Sequence, residues 1–255
     1  MYSDYHVHSN FSFDSEENPE NIVSTAIHLG MSQICITDHQ DYNWPIPTES
    51  PQIDIQKYSS TIQALQKKYS SKIQLIKGIE IGLAIDNVKE NSDFINNGHF
   101  EFVIGSCHIV DNMDPYYSDF WNNRKDRDAF ELYFKTLLSN LKLFNNIDSL
   151  GHLDYVVRYS PNRDANYSVL DYQDMIDEIL KLIIDKNIKL EINTSNLAKG
   201  FDFANPHTDI IERYSQLGGQ YITVGSDAHK ANQIGYGFDY VKKLVKQYNL
   251  KVFTV

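Results

Sequence analysis

An α/β fold with a mostly parallel sheet, open or closed into a barrel, is predicted by three features of the sequence. Short apolar runs alternate with amphipathic stretches of helical period along the chain, and parallel neighbours need such crossovers between them. The first helical stretch opens and closes with end chemistry that helices prefer. The longer irregular segments mostly follow strands directly, on the side where α/β proteins build their sites.

The runs that read as strands are 3–7, 33–37, 73–81, 100–109, 149–153, 189–193, 220–225 and the tail 252–255. Between them the 3.6 period predicts helices over 19–29, 55–69, 127–144, 172–186, 208–217 and 240–248. The first helix starts at Asn18-Pro19, a cap residue followed by proline, and stops at Gly30. Irregular stretches cover 40–54, 86–98, 111–125 and 158–170, and loops this long are usually functional. No repeat, low-complexity tract or Pro/Gly-rich linker divides the 255 residues. One domain spanning 1–255 is therefore expected.

Hydrophobic residues make up 42% and charged residues 22% of the chain, the balance of an ordinary globular protein. No apolar run reaches the roughly 18 residues needed to span a bilayer. The first residues, MYSDYHVHSN, lack the basic and apolar regions of a signal peptide. No membrane partner and a cytoplasmic location are the expectation. A net charge of −11 and the lack of any Lys/Arg cluster beyond pairs such as Lys67-Lys68 and Lys242-Lys243 argue against a nucleic-acid partner. They leave room for a local basic pocket that takes one small phosphate. Cys35 and Cys107 sit in apolar, strand-like runs and read as buried free thiols.

Asp4, His6 and His8 alternate, so on a strand they share a face, and two imidazoles at i and i+2 can converge on one cation. The same placement recurs along the chain. Thr37-Asp38-His39, Glu80, His108, His152-Leu153-Asp154, Glu191 and Asp227-Ala228-His229 lie near the ends of the next six strands. In a barrel those ends surround one cavity. Six of the nine histidines occupy these positions; His28, His99 and His207 do not. Imidazole and carboxylate donors without thiolate suit Zn, Mn, Fe or Co. More than four ligands implies more than one ion, and a carboxylate such as Glu80 can bridge two. Clustered cations make hydroxide available near neutral pH and stabilise phosphoryl oxygens during in-line displacement.

The motifs DYHVHSNFSFDS, TDH, KGIEIGL, GSCHIVD, GHLDYVVRY, LEINTS and GSDAH occur in this order over nearly the whole chain. In this the sequence resembles the PHP (polymerase and histidinol phosphatase) superfamily, and within it the histidinol-phosphate phosphatase branch. The resemblance implies a distorted (β/α)7 barrel with a di- or trinuclear centre at the C-terminal ends of the strands. By position, His6, His8, Glu80 and Asp227 would hold a first ion. Glu80 would bridge to a second, completed by His108 and His152, and His39 and His229 would serve a third. Asp14 stands where many relatives have histidine, and an aspartate can also ligate. Asp38, Asp154, Glu191 and Asp4 would orient the imidazoles.

Arg158, in the loop leaving the fifth strand, reads as a bidentate phosphate clamp, and Lys199 as a further phosphate-binding residue. Tyr42, Trp44, Tyr116 and Tyr117 fall in post-strand loops able to wall an imidazole-sized pocket. The reaction implied is hydrolysis of a small phosphorylated substrate, L-histidinol phosphate, in histidine biosynthesis, with two to three divalent ions and with Glu80, Asp227, His229 and Arg158 as catalytic groups. His229 and a metal-bound water both stand as proton donors to the leaving alkoxide. The same motifs also fit an esterase for another small phosphomonoester, a nucleotide bisphosphate or a phosphotyrosyl protein. An exonuclease-like module and a non-catalytic metal-binding domain are the readings from other classes.

Overall fold

The structure is a computed structural model that describes residues 3–255. Among the described residues nine strands form one parallel system: β1 (Ser3–Asp4), β2 (Gln33–Ile36), β3 (His39–Gln40), β4 (Gln74–Gly82), β5 (Phe102–Ser106), β6 (Ser149–Leu150), β7 (Lys189–Asn193), β8 (Tyr221–Gly225) and β9 (Lys251–Val252). The order is β1-β2-β4-β5-β6-β7-β8-β9, and β3 pairs with the far end of β4. The sheet then comes round on itself. Tyr5 N–H donates to the Val224 carbonyl at 2.9 Å, Asp227 N–H to His6 at 2.8 Å and His8 N–H to Ala228 at 2.9 Å. This seam closes the distorted barrel expected from the motifs.

The helices α1 (Pro19–His28), α2 (Ile55–Tyr69), α3 (Val88–Gly98), α4 (Ser118–Trp121), α5 (Asp126–Leu143), α6 (Gln173–Asp185), α7 (Ser195–Ala198), α8 (Thr208–Gln216) and α9 (Phe238–Gln247) lie between the strands. The Asn18 side chain caps α1 by accepting from Glu20 N–H at 2.8 Å, which satisfies one of the free amides at that end. Among the described residues no helix is long and apolar enough to cross a membrane.

Most of the core lies between sheet and helices. A smaller cluster joins Tyr5, Cys35, Ile76, Phe102 and Ile104, each of which precedes the polar groups at the C-terminal end of its strand. Both cysteines are buried and free. The segment 86–98 departs from the expected loop, because a 3-10 turn (Ile85–Asn87) leads directly into α3. Its Asn, Ser and Asp residues favour turns, but Val88, Phe94 and Ile95 pack on the core. Asn91 Nδ2 also donates to the Gly82 carbonyl at 2.9 Å. Tertiary contacts outweigh local propensity here.

Candidate metal centre

Glu80 is fully buried, and the register sets His39 beside it on the neighbouring strand. Its Oε2 lies 3.2 Å from His6 Nε2, 3.5 Å from His8 Nε2 and 3.1 Å from His39 Nδ1. Its Oε1 lies 3.0 Å from His152 Nε2 and 3.3 Å from His108 Nε2, and accepts from Ser106 Oγ at 2.6 Å. Asp227 adds a second carboxylate, with Oδ1 3.3 Å from His8 Nε2 and 3.8 Å from His6 Nε2. Asp14 reaches in from the opposite side. Its Oδ2 is 3.4 Å from His39 Nε2 and 3.0 Å from His229 Nε2. All nine residues expected to ligate metal thus meet at one end of the barrel.

Hydrogen bonds on the far side of four rings decide which nitrogen points inward. His6 Nδ1 lies 2.6 Å from Glu191 Oε1, His108 Nδ1 2.9 Å from Asp41 Oδ1, and His229 Nδ1 3.0 Å from the Asp227 carbonyl. Each of these oxygens only accepts, so Nδ1 carries the proton and Nε2 presents its lone pair. His8 follows the same logic. Its Nδ1 is 3.1 Å from Ser12 Oγ, whose own proton goes to Asp38 Oδ1 at 2.7 Å.

The donor set fits a cation. His6 Nε2, His8 Nε2, His39 Nδ1, Asp41 Oδ2 and Glu80 Oε2 are all buried without a hydrogen-bond partner, and unpaired buried polar atoms are costly. Three groups bring their ligand atoms within 4.8 Å of one another: His6, His8 and Glu80; His39, Glu80 and His108; and His8, Asp14, His39 and His229. His39 therefore offers one nitrogen to the Glu80 side and the other to Asp14.

The electrostatics agree. Burial on its own would raise Glu80, but His6, His39 and His108 hold it well below the ordinary glutamate value. Burial would likewise lower His6, yet Glu191, Glu80 and Asp227 carry it well above 6.5. His39 rises to about 9 against its own burial, through Asp14 and Glu80. The cluster thus gathers positive charge around its carboxylates, a role that metal ions fill in place of protons.

The orienting residues divide. Glu191 holds His6 and also accepts from His152 N–H at 2.7 Å, and Asp38 reaches His8 through Ser12. Asp4 leaves the ligand face. Its carboxylate accepts from Ser226 N–H and Oγ and from Gly235 N–H, so it fixes the backbone next to Asp227. Asp154 accepts from Asn205 Nδ2 at 2.6 Å and His207 N–H at 2.7 Å, and touches no ligand imidazole in these bonds.

Arg158 differs from its expected role as a bidentate clamp. The guanidinium is buried, with Nε on Asn196 Oδ1 (2.8 Å), Nη2 on Asn205 Oδ1 (2.6 Å) and Asn193 Oδ1 (3.4 Å), and Nη1 on Asp227 Oδ2 (3.3 Å). Those bonds use four of the five N–H donors of an arginine, and the Tyr159 hydroxyl also bonds the guanidinium, so its charge is the main thing it offers a ligand in the cleft it lines. Lys199 is exposed as a residue, but its ammonium sits 5.0 Å over the Tyr159 ring, 3.3 Å from the Tyr159 hydroxyl. Burial, then Arg158, pushes it down to about 8. Of the four expected wall aromatics, Trp44, Tyr116 and Tyr117 line the cleft of about 610 Å³. Tyr42 does not appear among the residues lining it.

Asp41 is the group that sequence reading missed. It binds His108 through Oδ1, and its orphaned Oδ2 lies 3.8 Å from His39 Nδ1. A side chain at Gly82 would strike it, since a Cβ there falls 1.9 Å from Asp41 Oδ1. Gly225 is confined in the same way, with a Cβ 2.3 Å from His6 Cβ and 2.5 Å from Glu191 Oε1. Asp41→Asn should lower metal affinity or kcat by about 10- to 100-fold, the usual cost of losing an orienting partner. Metal titration with parallel turnover measurements checks this, and an unchanged affinity and rate would refute it.

A family model, the PHP domain, matches residues 4–195. A protein named "Probable histidinol-phosphatase" from Clostridium acetobutylicum is 37% identical over 98% of this chain and 95% of its own length. The histidinol-phosphatase of Lactococcus lactis is 33% identical over 96% of this chain and 90% of its own. The crystal structure of the Lactococcus lactis histidinol phosphate phosphatase, complexed with zinc, L-histidinol and phosphate, superposes with a TM-score of 0.91. It is 32% identical and covers 99% of this chain and 95% of that one. Shared along almost the full length, with its ligand side chains gathered at one mouth of a closed barrel, the fold shows that the chain belongs to the PHP domain family.

Proposed function

We propose that this chain is a metal-dependent phosphomonoesterase that hydrolyses L-histidinol phosphate to L-histidinol and phosphate, as one domain spanning 1–255 acting in the cytoplasm. The observation that carries the reading is the convergence of five imidazoles on Glu80, where the facing nitrogens of His6, His8 and His39 and Oε2 of Glu80 have no hydrogen-bond partner. Support for the substrate comes from the full-length relatives that bear this activity in their names.

The ligand assignment we propose is His6, His8, Glu80 and Asp227 for one ion, Glu80, His108 and His152 for a second, and Asp14, His39 and His229 for a third, drawn from zinc, manganese, iron or cobalt. When bound, such ions supply Lewis acidity to the phosphoryl oxygens and lower the pKa of water. The chain's own residues do the rest. Arg158, locked by three asparagines and Asp227, presents a fixed positive charge to the ester. Lys199, held against Tyr159, adds a second one. His229 has its pKa raised by Asp14 and Asp227 against its burial. Doubly protonated, with Nδ1 on the Asp227 carbonyl and Nε2 on Asp14 Oδ2, it would hold a proton for the leaving oxygen when two ions are bound; with three, Nε2 would lose that proton and ligate.

Phosphate release measured on metal-loaded enzyme tests the reading. The kcat/KM for L-histidinol phosphate should exceed that for other phosphomonoesters and nucleotides by about 100-fold or more, and equal values across the panel would defeat it. Arg158 and Lys199 predict a pH effect as well. Lys199 is charged below about 8 and neutral above, so kcat/KM should fall as pH rises through 8, through weaker phosphate capture. Lys199→Arg should move that limb upward beyond the measurable range.

A further inference from the structure

The cleft has a second charged wall that the metal chemistry leaves unused. Glu49 sits between two aromatic donors, with Trp44 Nε1 on Oε2 at 2.8 Å and the Tyr117 hydroxyl on Oε1 at 2.6 Å. Asp114, only 5% exposed, accepts on Oδ1 from Tyr116 N–H at 2.8 Å and the Tyr155 hydroxyl at 3.1 Å. All of these donors are neutral. Both carboxylates line the same cleft as Arg158, Lys199 and the ligand histidines, and a buried carboxylate without a cation is an expensive arrangement.

The aromatic rings join the two walls. Tyr155 stands 4.9 Å from the His152 ring and 4.8 Å from Tyr159, which lies 5.3 Å from Tyr116. On the other side Trp44 is 5.6 Å from Phe13, and Phe13 is 5.8 Å from His39. A ligand phosphate held at the metal and Arg158 would leave its organic part among ring faces, with two carboxylates behind them. Ring faces and carboxylates together favour a cation.

Resting on the phosphatase reading above, we propose that Glu49 and Asp114 are specificity-determining residues that select phosphomonoesters whose alcohol portion carries a positive charge, such as the ammonium and imidazolium of a histidinol ester. The carboxylates accept hydrogen bonds from the cationic groups, and Trp44, Tyr116 and Tyr155 cover their apolar edges. A neutral or anionic alcohol portion would leave Asp114 buried with the charge of His108 alone to offset its own.

The test compares kcat/KM for cationic esters (L-histidinol phosphate and ethanolamine phosphate) with that for ethyl phosphate, in wild type, Glu49→Gln and Asp114→Asn. Each protein is loaded with zinc and its metal content measured. The expected result is a fall in the cationic-to-neutral ratio of about 10- to 100-fold in each variant, carried mainly by KM. Glu49→Lys should lower the ratio further. A ratio within threefold of wild type in both neutral variants overturns the proposal. Affinity for unphosphorylated L-histidinol, measured directly, gives the same answer in a variant whose turnover is poor, and must weaken by a similar factor. The two readings fail separately. Wild type that prefers ethanolamine phosphate to L-histidinol phosphate defeats the histidinol assignment and keeps cation selection, whereas wild type that favours L-histidinol phosphate but treats ethanolamine phosphate and ethyl phosphate alike, with the ratio unmoved in both neutral variants, defeats cation selection alone.

Discussion

Replacing Glu80 by glutamine should reduce turnover by about three orders of magnitude or more and deplete bound metal. The side chain is fully buried and stands between five imidazoles. An amide of the same shape keeps the volume but removes the charge that balances two or more cations. It also turns one of the two atoms facing the rings into a donor, aimed at nitrogens whose lone pairs point inward. Metal analysis of the purified variant beside phosphate release checks both parts. A variant that keeps a full complement of metal and more than a tenth of the wild-type rate would show that Glu80 is not the bridging ligand.

Removal of metal by a chelator should abolish activity and lower the Tm by roughly 8–16 °C. An ion present at about 1,000 times its Kd stabilises the folded chain by about 4 kcal/mol, and a domain of this size shifts by about 2–4 °C for each of these. The orphaned atoms of His6, His8, His39 and Glu80 are the physical source of the effect, since no protein group takes the place of the ion. Adding zinc or manganese back should restore both readouts. Chelated protein with an unchanged Tm would place the metal outside the buried cluster.

The convergence of the candidate ligands was legible in the sequence because strand ends fix direction. His6, His8, His39, His108, His152, Asp227 and His229 lie just past strand ends and Glu80 in the last part of β4, where the parallel barrel leaves little freedom in where a side chain points. Asp41 was not, although it stands only two residues after His39. It follows the short strand β3, in a stretch with no period to set its orientation, and only the fold carries it to His108. Glu49 and Asp114 fall in irregular segments for the same reason. The surroundings of Arg158 come from Asn193, Asn196 and Asn205, amides with no sequence pattern that ties them to an arginine. Helix α3 was hidden by its turn-forming composition and is held by contacts from distant residues.

The seam that joins Tyr5, His6 and His8 to Val224, Asp227 and Ala228 has a consequence for the order of events in synthesis. Pairings this distant in sequence form late in folding, because the loop they close must be ordered first. On the assignment proposed above, the first cation would need groups from both sides of the seam, so a nascent chain would hold only a partial ligand set until the segment through His229 has emerged. Metal capture should therefore lag behind sheet formation during refolding, and the ion then serves as a latch on a barrel already assembled.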